Sequence, residues 1–475
     1  MQIHGMGLNL SGQRLFPGID AQAFATRLID GLALNGQRVK QLAKTGERGL
    51  AFRGEQERRV LDVGDVKAAG WTFLVNRNDP RRADIVAALK PLADHRTMDD
   101  PASPLLFDTS DPADWGSWLE DNYHSLALDG KKVPRYVLIV GGPDQVPFAF
   151  QSLLDSIASV GRVDFTSIAE LAGYVTKLLR LEQAPEPVVN REAVVFAPDG
   201  GPQDPTFFSR RYMAQPLAEL MAKDLKLATT SIVGEQATKS GLATSLRGKK
   251  PAFVYTASHG LGALDSPIDV QTRYNGAICC QTRGQLTLDD LFGADDVPQD
   301  SEPFLEGAVF FQFACYGYGT PAMSEYSHWL GQAGRETKNA DRDFVAALPK
   351  RLLAHPRGPI AYIGHLDTAF LHGFADVAAP ETLDRWHNRI QPFVSAVRML
   401  LEVQAPGLAM QSMNERYATL NALLANTYDR MQRGKMQWTD ANTARFLDSW
   451  ITRGDAQNYM VFGDPGACLR LPEAA

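Results

Sequence analysis

The sequence lacks a long uninterrupted apolar run. No part of its 475 residues approaches the roughly 18 consecutive apolar residues that a membrane-spanning helix requires. The first ten residues also lack the basic flank and apolar core of a secretory signal. These absences predict a cytoplasmic protein with no membrane partner.

Cysteine is scarce as well, and occurs only at Cys279, Cys280, Cys315 and Cys468. An adjacent pair and two isolated residues do not form the regular spacing of a disulfide framework or of a zinc site. We therefore expect free thiols in a reducing compartment, no metal site and no cofactor.

Positive charge is not concentrated anywhere in the chain. The formal net charge is −7 at pH 7, and basic clusters such as Arg81-Arg82 are short. Because binding of phosphates needs clustered Lys and Arg, nucleic acid is not expected as a partner. The composition, with 44% hydrophobic and 22% charged residues, is globular, and the length predicts two or three structural units.

Short runs rich in Val, Ile and Phe alternate with amphipathic stretches. This alternation is typical of an α/β protein in which helices cover a mostly parallel sheet. The runs predict strands at 71–75, 136–140, 193–197, 252–256, 309–313 and 360–363, with a further extended run at 458–462. Helical periodicity predicts helices at 168–181, 212–227 and 241–246, whereas 99–114 has the composition of a loop.

Two of the predicted strand ends carry one reactive side chain each. His259-Gly260 follows the run Phe253-Val-Tyr-Thr-Ala-Ser, and Cys315 follows Val309-Phe-Phe-Gln-Phe-Ala. Functional groups gather at the carboxyl ends of parallel strands, so neighbouring strands would bring the imidazole beside the thiol. An imidazole raises the reactive fraction of a thiol, and the N–H groups of Gly260 and Cys315 could hold an oxyanion. The alternative is a small buried cysteine and a histidine satisfied at the end of its strand.

An apolar strand with His-Gly, followed by an apolar strand with Ala-Cys, resembles the catalytic pattern of caspases and their relatives. Other motifs are similar to the gingipain-like branch of cysteine peptidases: a strand with a glycine turn and Val-Pro at 136–147, a Gly-Arg turn at 160–163 before a helix, and Gly-Asp-Pro at 463–465. The resemblance covers roughly residues 136–471. It implies a caspase- or gingipain-like α/β/α sandwich, with mostly parallel sheets in two subunits of one catalytic region and a helical C-terminal part.

The same resemblance implies a cysteine endopeptidase with a Cys–His dyad. Cys315 would attack the peptide carbonyl to give a thioester, and His259 would protonate the leaving amine. The family also has an acidic residue that orients the histidine, and Asp199, before Gly-Gly-Pro, matches it by position. The alternative for Asp199 is a simple turn residue.

The resemblance allows two opposite preferences for the residue before the cleaved bond, basic or acidic. Gingipain-like peptidases cleave after Arg or Lys by using an acidic group, which Asp367 could supply with Phe370 as a wall of the site. Arg210 and Arg211 stand about where some relatives place that acid, and they could instead bind an acidic side chain. We favour cleavage after Arg or Lys.

These inferences divide the chain into four parts: an N-terminal extension at 1–64 that packs on the first sheet, a first α/β subdomain at 65–190, a catalytic α/β subdomain at 191–370, and a helical segment with a closing strand at 371–475. The polar stretch between Tyr316 and His355 is expected to form a lid or a processing site, with self-cleavage at Arg335, Lys338 or Arg342. The alternative is a surface segment that only connects helices.

A cytoplasmic peptidase must be restrained. We therefore expect, besides a protein or peptide substrate, an activating protein partner or an upstream protease, as in a bacterial signalling or defence cascade. The alternative function is a catalytically silent caspase-like module that uses its cleft for binding.

Overall fold

The computed structural model describes residues 2–15, 19–34, 64–98, 100, 103–128, 132–326, 338–374, 389–403 and 405–473. A ten-stranded sheet forms its centre. In chain order the strands are β1 Trp71–Asn76, β2 Leu105–Phe107, β3 Tyr136–Val140, β4 Ser159–Val163, β5 Asn190–Ala197, β6 Ala228–Val233, β7 Pro251–Ala257, β8 Val309–Phe313, β9 Ala361–His365 and β10 Tyr459–Gly463.

The sheet consists of two parallel halves that run in opposite directions. The strand order is β2-β1-β3-β4-β10-β9-β8-β7-β5-β6. Every neighbouring pair is parallel except β9 and β10, which are antiparallel. The α/β class with a mostly parallel sheet is thus confirmed, and the two halves form one continuous sheet that the last strand joins.

Helices form most of the remaining regular secondary structure among the described residues. In chain order they are Ala21–Leu34, Val66–Ala69, Arg82–His95, Trp115–Leu119, Ser125–Leu128, Phe148–Asp155, Ile168–Glu182, Pro205–Ser209, Gln215–Lys223, Lys239–Leu246, Ile268–Tyr274, Ala347–Ala354, Gln391–Val403, Pro406–Ala409, Gln411–Gln432 and Asp440–Gln457. Two of the junctions are π-helical turns, at Glu120–His124 and Arg210–Ala214. Within the described residues, no helix is both long and apolar enough to cross a membrane.

Both faces of the sheet are buried. In β3, Leu138 belongs to one hydrophobic cluster and its neighbour Ile139 to another on the opposite face. Strands that are buried on both faces need continuous apolar runs, which is why seven of the ten strands could be predicted.

The three strands that were not predicted are short, polar or interrupted by glycine. β2 has three residues and lies in the stretch predicted as a loop, and β6 is a partly exposed edge strand with the polar run Thr-Thr-Ser. β4 contains the Gly-Arg pair that was predicted as a turn. Arg162 is instead a buried strand residue whose guanidinium donates hydrogen bonds to Gln151 Oε1 and to the carbonyls of Gly141 and Val146, at 2.7–2.8 Å. The predicted turn was wrong because these internal acceptors satisfy the charged side chain.

The N-terminal residues do not pack as expected. Gly7–Leu8 forms the edge of a small four-stranded sheet and pairs in parallel with Gly260–Leu261, directly after β7. Ile3 lies in a second hydrophobic cluster with residues of the Ala21–Leu34 and Asp440–Gln457 helices. The described N-terminal residues therefore join the second half of the sheet to the C-terminal helices, whereas the sequence suggested packing on the first sheet.

Candidate active site

The ends of β7 and β8 lie side by side. These strands are parallel neighbours, with Ala257 opposite Phe313, and the Ser258 N–H donates a hydrogen bond to the Phe313 carbonyl at 3.1 Å. A Cβ added to Gly260 would overlap the carbonyl oxygen of Cys315 and lie 2.8 Å from its amide nitrogen. The structure thus brings the His259-Gly260 and Cys315 strand ends together, and only glycine fits at position 260.

Cys315 is fully buried at its strand end. The Ala369 N–H donates a hydrogen bond to its sulfur at 3.2 Å. Burial raises the pKa of the Cys315 thiol, against the smaller opposing effect of backbone hydrogen bonds from Ala369 and Met6. The sulfur therefore carries its proton at neutral pH in this arrangement.

His259 is held by a carboxylate. Its Nε2 lies 2.8 Å from Oδ1 of Asp204, and the imidazole is almost entirely buried. Its Nδ1 is buried and has no hydrogen-bond partner among the described residues, so this nitrogen remains for exchange of a proton with the thiol or a substrate. As at any histidine, which ring nitrogen carries the proton is inferred from these partners.

Asp204 is an ionised carboxylate in a polar cradle. Its Oδ1 also accepts hydrogen bonds from the backbone N–H and the hydroxyl of Thr206, at 2.9 and 2.6 Å. Although burial opposes the effect, the hydrogen bond and charge of His259, together with the Thr206 donors, hold the pKa of the Asp204 carboxyl well below its usual range. A fixed negative charge at this position orients the imidazole.

The sequence had assigned this role to Asp199, and the structure places that residue elsewhere. Asp199 Oδ2 lies 2.8 Å from Nη2 of Arg210, and its Oδ1 accepts a hydrogen bond from the Gly201 N–H. The carboxylate on His259 belongs to Asp204, five residues later in the same loop. Asp204-Pro205 is a common start of a helix, and Asp204 does cap the Pro205–Ser209 helix, so its sequence signal indicates a capping residue as readily as a site residue.

Arg210 and Arg211 lie beside this loop. The charge of Arg210 is neutralised by Asp199, and its guanidinium lies 5.8 Å from the ring centre of Phe207. Arg211 is exposed and lies over the rings of Phe207 and Tyr212. Arg210 is therefore already paired with an acid of this loop.

Asp367 follows β9 and is buried. Its carboxylate accepts hydrogen bonds from the Ser324 hydroxyl at 2.7 Å, the Glu325 N–H at 2.9 Å and the Asn339 amide at 3.1 Å. Burial raises the pKa of this carboxyl, against the opposing effect of these donors. The Tyr316 N–H donates a hydrogen bond to the Asp367 carbonyl at 2.8 Å, which ties this loop to the residue after Cys315. The carboxylate oxygens of Asp367 are occupied by internal donors.

Phe370 is buried and its ring meets that of Tyr326 edge-on, with centres 4.8 Å apart.

Of the predicted self-cleavage positions, Arg335 lies outside the described residues. Lys338 forms an exposed ion pair with Asp341, and Arg342 is exposed. Among the described residues, no cluster of His, Cys, Asp or Glu side chains is arranged to hold a metal ion.

No sequence motif indicates the N-terminal contribution to this site. The Gly260 N–H, predicted as an oxyanion donor, donates a hydrogen bond to the carbonyl of Met6 at 3.1 Å. Arg14 reaches the other end of the site, where its Nη2 lies 3.2 Å from Asp204 Oδ2. Pairing between residues that are some 250 positions apart leaves no local pattern.

Neither a protein-family model nor a curated protein sequence matches this chain. Among solved structures, the chain is similar to the complex of the pro- and mature domains of RgpB from Porphyromonas gingivalis, with 12% identity, a TM-score of 0.47, and coverage of 84% of this chain and 79% of that one. RgpB is a gingipain. A second similar structure is described as a protease, with 13% identity, a TM-score of 0.45, and coverage of 85% and 79%. The separase–securin complex of Saccharomyces cerevisiae follows, with 12% identity, a TM-score of 0.30, and coverage of 70% of this chain but 15% of that one.

Proposed function

We propose that this chain is a cysteine endopeptidase of the gingipain- and caspase-like kind. The observation that carries the proposal is the arrangement of three chemically matched groups at one sheet edge. Cys315 and His259 follow adjacent parallel strands, and Asp204 accepts a hydrogen bond from the imidazole at 2.8 Å. Thiol, imidazole and carboxylate in this order form the constellation that nucleophilic acyl transfer requires.

The reaction follows from the positions of these groups. The Cys315 sulfur attacks the peptide carbonyl as its proton passes to His259, and the N–H groups of Gly260 and Cys315 stabilise the oxyanion. The tetrahedral intermediate collapses to a thioester when the C–N bond breaks and His259 gives the proton to the leaving amine. Water, deprotonated by His259, then hydrolyses the thioester. Asp204 stabilises the imidazolium that forms in both halves of the reaction.

For residue preference we propose cleavage after Arg or Lys, with Asp367 as the acidic group. Two observations support this choice. The Asp367 carbonyl accepts a hydrogen bond at 2.8 Å from the N–H of Tyr316, the residue after Cys315. Arg210, the group that would bind an acidic side chain, is already paired with Asp199. A basic side chain would have to replace the internal donors on Asp367.

A catalytically silent binding module is the second candidate, and the complete burial of the Cys315 sulfur is the observation that favours it. A buried thiol with a raised pKa is a poor nucleophile. For the peptidase, burial requires that the site open before it acts, which agrees with the predicted need for an activating partner or upstream protease. The cytoplasm, where all four cysteines would stay reduced, is the proposed location.

The test compares the unmodified chain with Cys315→Ala and with Cys468→Ala on a mixed peptide library, with cleavage sites identified by mass spectrometry. Cys468 is half-buried and forms no disulfide, so its variant controls for loss of a cysteine. We expect cuts that are retained in Cys468→Ala and absent in Cys315→Ala, mostly after Arg or Lys. Cuts that persist without the Cys315 sulfur would refute the proposal, and cuts after Asp or Glu would refute the residue preference.

A further inference from the structure

The N-terminal segment, residues 3–8, crosses the active site in an extended conformation. On one side its backbone bonds to residues 369–371: the Met6 N–H donates to the Ala369 carbonyl at 2.9 Å, and Gly5 bridges antiparallel to Phe370. On the other side the Met6 carbonyl accepts the Gly260 N–H at 3.1 Å. The segment is therefore bonded to both walls of the cleft, at the ends of β7 and β9.

The nucleophile lies between these walls, under the same segment. Cys315 follows β8, which runs between β7 and β9, and its sulfur accepts a hydrogen bond from the Ala369 N–H. A Cβ added to Gly7 would lie 3.4 Å from that sulfur. Met6 and the sulfur are both fully buried. The Met6–Gly7 peptide bond thus lies against the thiol. Its carbonyl accepts the hydrogen bond from the Gly260 N–H, which is the group that would otherwise stabilise an oxyanion.

A second contact comes from the same end of the chain. Leu15 and Gly7 are bonded backbone to backbone, so residues 7–15 form a hairpin. From this hairpin Arg14 donates a hydrogen bond to the Gln203 carbonyl at 2.6 Å and one to Asp204 Oδ2 at 3.2 Å. Arg14 therefore places a positive charge on the carboxylate that holds His259. The N-terminal residues contact the oxyanion donor, the sulfur and the orienting acid together.

We propose that the N-terminal segment occupies the substrate cleft as a bound peptide would, with Met6–Gly7 at the position of the scissile bond, and so lowers the activity of the chain until it is displaced. The inference rests on the proposed peptidase function. A substrate would then bind in the same way, as an extended strand antiparallel to residues 369–371, with the carbonyl of its cleaved bond on the Gly260 N–H. Main-chain pairing of this kind accepts an extended peptide, and the side chains set the preference.

The test is a proline substitution that removes one bond of the segment. Met6→Pro eliminates the N–H that donates to Ala369. Leu10→Pro is the matched control, because Leu10 occupies the second position of the turn closed by the Gly12 N–H and the Asn9 carbonyl, where proline is favoured. The readout is the rate of alkylation of Cys315 by iodoacetamide, measured by peptide mass spectrometry with Cys468 as internal reference.

We expect Cys315 to be alkylated about tenfold faster in Met6→Pro, since the closed state loses about one buried hydrogen bond. Leu10→Pro should match the unmodified chain, and peptidase activity should rise with alkylation. If Met6→Pro fails to fold, Gly7→Val serves instead, because its added carbon meets the side-chain end of Leu15 at 2.8 Å and crowds the sulfur.

The outcomes separate this inference from the proposed function. Faster alkylation together with new cleavage supports both. Faster alkylation without cleavage supports the bound segment and refutes the peptidase. A folded variant whose Cys315 reacts no faster than in the unmodified chain overturns the inference, whatever the library experiment shows.

Discussion

Replacing Asp204 by Asn tests which carboxylate serves His259. The bond between them is 2.8 Å long, and the two side chains are only 16% and 6% exposed, so solvent screens the interaction weakly. A hydrogen bond to a charged group contributes about 1.5–3 kcal/mol. If that stabilisation of the imidazolium is lost from the transition state, acyl transfer slows by about 10- to 150-fold at roughly 1.4 kcal/mol per factor of ten.

Asp199→Asn is the matched control. Asp199 lies in the same loop and pairs with Arg210, where both side chains are about 20% exposed. Loss of such a pair costs at most about 1 kcal/mol of stability and leaves the imidazole untouched. Asn also caps a helix nearly as well as Asp, so Asp204→Asn should retain the start of the Pro205–Ser209 helix and unfold close to the temperature of the parent.

The assay is kcat/KM on the best peptide from the library, measured in the parent chain and again with Met6→Pro to open the cleft. We expect the loss in Asp204→Asn and less than a threefold change in Asp199→Asn. The reasoning is refuted if Asp204→Asn retains activity within twofold of the parent. It is equally refuted if Asp199→Asn suffers the larger loss, because the orienting acid would then be the one that the sequence indicated.

Three further predictions concern close approach, pH and specificity. Gly260→Ala should abolish cleavage and lower the melting temperature, because the added Cβ overlaps the backbone of Cys315. The control is Gly173→Ala, in a helix with no atom within 4 Å of the new carbon, which should raise stability by up to about 1 kcal/mol. Equal melting curves for the two variants would contradict this prediction. Although burial opposes it, Arg96 lowers the pKa of Glu182 to about 2 from 4.5, so its stabilisation is present above pH 4.5 and lost as the pH falls towards 2. Chemical denaturation should show about 3 kcal/mol of acid-dependent stability that Glu182→Gln lacks, and identical pH profiles would be the contrary result. Asp367→Asn should lose cleavage after Arg and Lys by at least about tenfold relative to other residues in the library profile, and an unchanged profile would remove Asp367 from the specificity site.

Much of the central sheet could be predicted from sequence. Strands such as β7 and β8 are buried on both faces, so nearly all of their residues are apolar, and this pattern can be recognised from the local sequence. The same pattern marks where each strand stops, which is how His259 and Cys315 could be singled out. An edge strand is not buried on both faces and can contain polar residues. β6 could not be predicted because it exposes Thr and Ser to solvent.

The direction of the strands was decided by tertiary structure. β10 pairs parallel to β4 and antiparallel to β9, which reverses the sheet between its halves. An extended apolar run has the same composition in a parallel and in an antiparallel pairing. The sequence at 458–462 therefore indicated a strand but did not indicate which strands it pairs with.

In the site, too, some features could be predicted from the sequence and others were decided by tertiary structure. The residue types at the two strand ends were enough to predict a thiol beside an imidazole, because parallel strands end at one edge. Asp199 and Asp204 lie in one loop, and only the path of that loop decides which carboxylate meets the ring. The N-terminal segment reaches the thiol through backbone hydrogen bonds to Gly260 and Ala369, and such bonds leave no trace in side-chain identity. The sequence by itself determined the chemistry of the groups, and the folded chain decided which of them meet.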